Sequence, residues 1–327
     1  LARMLELEDL HGFKEKLSNS DLVGSLTQNT SPLILTDSGK LYFHRYWHYE
    51  QHLLKVINLR MSSDSSAPGG EKPDFIETIE QLGKDQKRAV RLAGQSSLSL
   101  ISGGPGTGKT TTVLYILAHL LDQNNDAQLK IALASPTGKA AQEIQDSLSS
   151  GKDSIPVSEE LKSFIPIEAK TLHRLLGYKR NSSQFQHNRE NPLPYDVVVV
   201  DEASMLDLLM FSKLLDALKP ETRLILLGDS HQLASVEAGS IFGDLVEASR
   251  TNKLLEKHTV VLNQNYRFGN DSGLYQTCEY VKNGNSAAAL QVINQAENEI
   301  SMRSLPLPLK LSAELEKSLA PHFLKLT

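Results

Sequence analysis

Cysteine is nearly missing: Cys278 is the one thiol among 327 residues. A lone thiol excludes an internal disulfide framework and suits a reducing cytosol, where Cys278 reads as a small apolar helix residue. Long apolar runs are missing too. No stretch approaches the roughly 18 residues that a membrane helix needs, and no basic-then-apolar leader is present. Neither a membrane span nor a signal peptide is expected, and the location expected is cytoplasmic. Positive charge is not in excess either. The formal net charge is −5, so no global positive field marks an architectural DNA-coating protein, and any polynucleotide contact must be local. What is present, 40% hydrophobic and 22% charged residues, is ordinary for a globular chain of two or three domains. The chain opens at Leu1 rather than methionine, so a fragment or a processed chain is expected.

Against that background one stretch stands out. Gly103, Gly108, Lys109 and Thr110 fit the pattern G-x-x-x-x-G-K-[ST]. Apolar residues 98–101 before it read as a buried strand, and residues 112–121 after it repeat apolar positions at helical spacing. Strand, glycine turn and helix are the setting a phosphate-binding loop requires. Gly103, Gly104, Pro105, Gly106, Thr107 and Gly108 can curl the backbone so that its N–H groups face phosphate oxygens, with the positive end of the helix behind them. Lys109 reaches the outer phosphates, the Thr110 hydroxyl helps hold Mg2+, and Thr111 continues the loop into the helix. A nucleoside triphosphate is the expected ligand.

Upstream, residues 33–35 and 41–43 flank a turn at Asp37–Gly39 and read as a hairpin, followed by a helix over 49–59. The cluster Tyr42, Phe43, Tyr46, Trp47 and Tyr49 suits either nucleic-acid stacking or a buried core or protein interface, with the latter preferred. Residues 61–73, rich in Ser, Gly, Pro and Asp, read as a linker. From 74 onward strands and helices alternate: strands at 130–135, 196–200 and 223–227, helices at 138–148 and 206–218. That is the pattern of a parallel sheet with helices on both faces, whose ligands gather at the carboxyl ends of the strands.

Asp201 and Glu202 stand at such an end, after four valines. We assign Asp201 to the metal and Glu202 to orienting or deprotonating the attacking water. Gln232, beyond the next strand, both donates and accepts and can report loss of the γ-phosphate.

Taken together, residues 101–111, 134–141, 171–177, 200–205, 228–239 and 265–269 resemble the ordered motifs of the superfamily 1 helicases, and more closely those of the RecD alpha subunits of bacterial exodeoxyribonuclease V. The resemblance covers about residues 30–285. It implies a RecA-like P-loop NTPase sheet over 74–258 with a small inserted hairpin at about 177–195. A small N-terminal partner-docking domain with its linker would fill 1–73, and 259–327 would begin a second, incomplete motor domain. Nothing after Asn285 resembles the motifs that complete that domain in relatives, so feeble ATP turnover is expected of this stretch alone. The resemblance further implies that Gln86 reads the adenine edge and that Arg267 is an arginine finger. It places Ser135, Thr137 and His173 near single-stranded DNA. Its implied cofactors are ATP and Mg2+, and its implied partners are single-stranded or duplex-end DNA together with RecB-like and RecC-like subunits. An ATP-driven 5′ to 3′ helicase subunit is the leading reading; an ATP-controlled assembly switch and a small-molecule phosphotransferase are the alternatives. A nuclease in this chain is not expected, for want of further clustered carboxylates.

Overall fold

The computed structural model describes residues 10–24, 31–62, 76, 79–123, 129–180, 182, 184–232, 239–269, 272–295, 300 and 308–323. Most of the linker expected at 61–73, and residues 233–238, lie outside them. The chain divides into two compact units, Leu1–Gln264 and Asn265–Thr327.

The first unit begins with α1 (Leu10–Ser18), β1 (Val23–Gly24), β2 (Leu33–Leu35), β3 (Leu41–Phe43) and α2 (His44–Ser62). The hairpin is present: β2 and β3 pair antiparallel, and Gly39 turns between them at φ +80°. Helix α2 is longer than the 49–59 expected. Leu53, Ile57 and Met61, spaced one turn apart, are buried in the same core as the main sheet, and Tyr46 and Tyr49 pack against that core. At its end the buried Arg60 donates to Thr222 O at 2.7 Å and Lys219 O at 2.9 Å. Helix α2 is thus a layer of the first unit.

A second tie lies midway along α2, where Asp216 Oδ1 is 2.9 Å from both His52 Nε2 and Arg189 Nη2. Asp216→Ala removes the shared acceptor. We expect a loss of about 1 kcal/mol, discounted because Arg189 is exposed, read as a melting midpoint lower by about 2–4 °C.

The main sheet follows. In chain order come α3 (Lys84–Gln95), β4 (Leu98–Gly103), α4 (Lys109–Gln123), β5 (Ile131–Ser135), α5 (Gly138–Gly151), α6 (Glu159–Phe164), β6 (Ala169–Thr171), α7 (Leu172–Leu176), β7 (Val197–Val200), α8 (Leu208–Asp216), β8 (Arg223–Gly228), α9 (Ile241–Ala248), α10 (Lys253–Lys257) and β9 (Thr259–Leu262). The six strands lie in the order β6-β5-β7-β8-β4-β9, all parallel. The period of two along each strand sorts its side chains between two cores. Val198 and Val200 join the core under α2, α7, α8 and α9, while Val197 and Val199 join the core under α3, α4 and α5. Burial on both faces is why these strands read as unbroken apolar runs.

Thr259–Leu262 pairs with β4 as the sheet's edge strand, and the first unit runs to Gln264. The hairpin expected at 177–195 is, among the described residues, an irregular loop with a single antiparallel bridge, Tyr178 to Phe185. In the second unit, α11 (Gly273–Lys282) and α12 (Ser286–Gln295) pack together across a turn with Gly284 at φ +70°, and α13 (Pro308–Phe323) follows. Among the described residues no helix is long and apolar enough to cross a membrane.

Candidate nucleotide site

Strands β7, β8 and β4 are neighbours, so the loops at their carboxyl ends stand side by side. The loop after β4 has the curl its glycines suggested. Gly106 and Gly108 take φ +79° and +77°, a region that costs other residues about 1–2 kcal/mol. A side chain on Gly103 would put its Cβ 2.5 Å from Thr107 Oγ1. That hydroxyl donates to Gly104 O at 2.8 Å and closes the turn. Lys109 Nζ donates to Gly103 O at 2.7 Å and Gly104 O at 3.3 Å, which holds the ammonium within the curve of the loop. Pro105 and Thr111 are exposed and Thr110 is half-buried at the first turn of α4.

Asp201 and Glu202 leave the tip of β7, near enough to that lysine for its charge to act on both. Burial pushes the Asp201 carboxyl above the usual carboxylate range, opposed by the Glu202 N–H it accepts at 2.9 Å and by the charge of Lys109. Burial also raises Glu202, followed by the charge of Asp201, again against Lys109; Asp229 and Glu143 raise it further. Glu202 is the one non-glycine residue of positive φ among those described, at +54°. A backbone held there is strained by its surroundings, as residues at working sites often are.

Residues after β8 complete the group. Gln232 Oε1 accepts from Ser204 Oγ at 2.7 Å, which ties it to the turn that follows Glu202. Ser230 N donates to Ser102 Oγ at 3.2 Å, joining the β8 loop to β4. A Cβ on Gly104 would lie 3.9 Å from Asp229 Oδ2. Ser102, Ser204 and Ser230, together with Glu143 of α5, were not singled out in the sequence. Their only signal is a polar residue beside a strand tip, which is too common to read alone.

The remaining candidates fall as follows. Gln86 is buried, not a surface glutamine; its Oε1 accepts from Gly83 N at 3.0 Å and its Nε2 donates to Gly108 O at 3.3 Å. It caps α3 and braces the phosphate loop. Ser135 is wholly buried at the tip of β5, and Thr137 Oγ1 accepts from Ala140 N at 3.2 Å as the cap of α5. His173 is exposed in the first turn of α7 and meets Phe185 edge-on at 5.7 Å. Arg267 belongs to the second unit, exposed in a turn where Asn265 Oδ1 accepts from its N–H at 2.9 Å.

Residues 86–238 match the family described as AAA domain. The RecD subunit of the RecBCD enzyme from Mycolicibacterium smegmatis is 38% identical over 297 residues, 90% of this chain and 52% of that protein. The chain is RecD-like, of helicase superfamily 1. The RecD subunit from Haemophilus influenzae is 37% identical over 82% of this RecD-like chain and 47% of its own length. The ATP-dependent RecD2 DNA helicase of Deinococcus radiodurans is 32% identical over 72% and 30%. The RecD-like chain thus spans about half the length of the RecD relatives it matches. A Bacteroides Pif1 bound to single-stranded DNA aligns over 74% of this chain and 56% of that one at 20% identity and a TM-score of 0.41, too weak to carry an inference.

A triphosphate fits the RecD-like loop, since Gly103, Gly104, Gly106 and Gly108 carry no side chain, Thr107 folds back on Gly104, and Pro105 is exposed. Among the described residues no group of three or more His, Cys, Asp or Glu is placed to hold a metal. A cation carried by Thr110 and Asp201 would draw the rest of its shell from the nucleotide and water, as magnesium commonly does.

The raised Asp201 carboxyl has a consequence for stability. A folded pKa above the unfolded one contributes stability that is present at low pH and lost as pH rises through the folded value. At neutral pH the ionised Asp201 therefore weighs against the nucleotide-free fold. Asp201→Asn keeps the Oδ1 that accepts Glu202 N–H but removes the charge. We expect the nucleotide-free protein to gain about 0.5–2 kcal/mol, seen as a higher melting midpoint at pH 7 that converges with the parent as pH falls, together with loss of magnesium-dependent ATP turnover.

Proposed function

We propose that this chain is the motor-bearing part of an ATP-dependent DNA helicase subunit of a RecBCD-type enzyme, acting in the cytoplasm beside RecB-like and RecC-like subunits on single-stranded or duplex-end DNA. The observation that carries this is the meeting of Lys109, Asp201, Glu202 and Gln232 at three adjacent strand tips, with the lysine charge acting on both carboxylates.

In this reading the loop amides and Lys109 grip the β- and γ-phosphates. Thr110 and Asp201 would hold magnesium, which would neutralise charge on the phosphate oxygens. Glu202 is fixed by its strained backbone and accepts a proton from the attacking water or orients it. Gln232, anchored by Ser204, reports the state of the γ-phosphate through the turn it shares with Glu202. Gln86, already bonded to the loop exit, offers its amide to the adenine edge, and Arg267 supplies the positive charge of a finger. Ser135, Thr137 and His173 lie along the tips of β5 and β6, where backbone amides at the α5 terminus and the imidazole would hold the strand's phosphates.

The test is ATP hydrolysis with and without single-stranded DNA, using the complete reading frame and its partner subunits. The motor reading expects stimulation by the strand. Turnover indifferent to DNA would instead fit an assembly switch, and phosphorylation of a small molecule a phosphotransferase. The 327-residue chain alone is expected to bind ATP and turn it over feebly.

A further inference from the structure

An open cleft of about 460 Å³ lies between α2, α8 and the loop after α7. The nucleotide machinery above makes no use of it. Its volume is within the usual range of ligand sites, about 300–1,000 Å³. Tyr46 and Tyr49 come from α2, and Tyr178 and Phe185 from the two sides of the bridged loop, so four aromatic rings line one concavity. Tyr178 is 64% exposed, an unusual cost for a ring with nothing to cover it.

The charge in this cleft departs from the rest of the chain. The whole carries −5 with histidine neutral, yet the lining holds Arg45 and Lys213 against a single acid, Asp207. That acid is engaged, with its Oδ1 accepting from Met210 N at 2.6 Å as the cap of α8. Arg45 sits 4.8 Å above the Tyr46 ring, which places a cation beside a stacking surface. Rings interleaved with cations are what an unstacked base and its phosphate require.

Position points the same way. Ser135 of β5 pairs in register with Thr171 of β6, and His173 follows two residues later on the cleft wall. Through His173 the cleft therefore adjoins the tip of β6, the strand at that edge of the sheet. A strand held along those tips would run on to it.

We infer that the cleft between Tyr46 and Tyr49 of α2 and Tyr178 and Phe185 of the bridged loop takes one unstacked base of single-stranded DNA, with Arg45 and Lys213 on the adjoining phosphate. This rests on the strand-binding part of the reading above. It gives α2 a function beyond packing, as one wall of a base-binding site, and gives the inserted loop a stacking role.

The experiment measures binding of a short oligothymidine, and of an abasic backbone of the same length, by fluorescence anisotropy at fixed salt. Because Tyr178 is largely exposed, Tyr178→Ala spares the fold, which a melting curve and ATP titration check. The expected result is a loss of about tenfold in affinity for oligothymidine, with little change for the abasic backbone and none in ATP binding. Lys213→Ala should weaken both oligomers and flatten the salt dependence. Unchanged oligothymidine affinity in Tyr178→Ala, with the unsubstituted chain binding well, overturns the cleft and leaves the motor reading standing. Loss of partner-subunit binding in Tyr178→Ala without loss of DNA affinity also overturns it, in favour of a protein ligand. If the unsubstituted chain fails to bind either oligomer, the cleft reading falls, while the motor reading is judged on strand-stimulated hydrolysis by the complete reading frame with its partners.

Discussion

Lys109→Ala is expected to reduce ATP turnover by on the order of 10²–10³-fold and to weaken ATP binding, with the melting curve of the nucleotide-free protein little changed. The lysine ammonium bonds only to the carbonyls of Gly103 and Gly104 among the contacts described. Gly104 and Lys109 are only half-buried, so water can take the ammonium's place within the loop. The charge on the phosphates has no such substitute: Lys109 is the cation that acts on both Asp201 and Glu202, and without it the triphosphate would face those carboxylates unopposed. Turnover measured beside a thermal melt separates the two effects, and equal loss of both would mean that the lysine serves the fold.

Glu202→Gln should behave differently. Glutamine can occupy the same backbone conformation, φ +54°, and keeps the shape of the side chain while removing its ability to take a proton. Turnover should fall by about 10²–10⁴-fold with ATP affinity held within a few-fold. The parent enzyme should also lose activity on acidification at a higher pH than an ordinary carboxylate would dictate, because burial and Asp201 raise Glu202. That acid limb should be missing from the residual rate of Glu202→Gln. A variant with weakened ATP binding and the parent's pH profile would assign Glu202 to structure instead.

The parts of this site legible in the sequence are those where one residue type answers one physical demand. Gly106 and Gly108 were readable because positive φ calls for glycine, and the four valines because a strand buried on both faces has no polar position to show. Helix α8 ends up shorter than the 206–218 expected, since Asp207 caps it and the chain up to Leu206 is turn. Other features depend on contacts distant in the chain. Strand β6, three residues long, carries no periodicity and exists because β5 offers an edge. The start of α2 among His44, Arg45, Tyr46 and Trp47 is set by packing on α8 more than by helix propensity. The aromatic cluster there could be read as core or as stacking surface, and its members do divide: Tyr46 and Tyr49 pack on the core and also line the cleft, while Phe43 is exposed. Gln86 was read for its ligand, and its brace on Gly108 could not be foreseen without the fold.

The most direct test of the account is a calorimetric titration of the 327-residue chain with ATP, in the presence of magnesium and of a chelator. One saturable site, markedly tighter with magnesium, is the result expected of a loop and an acid at neighbouring strand tips. Absence of saturable binding, or binding of equal strength in both conditions, would contradict it.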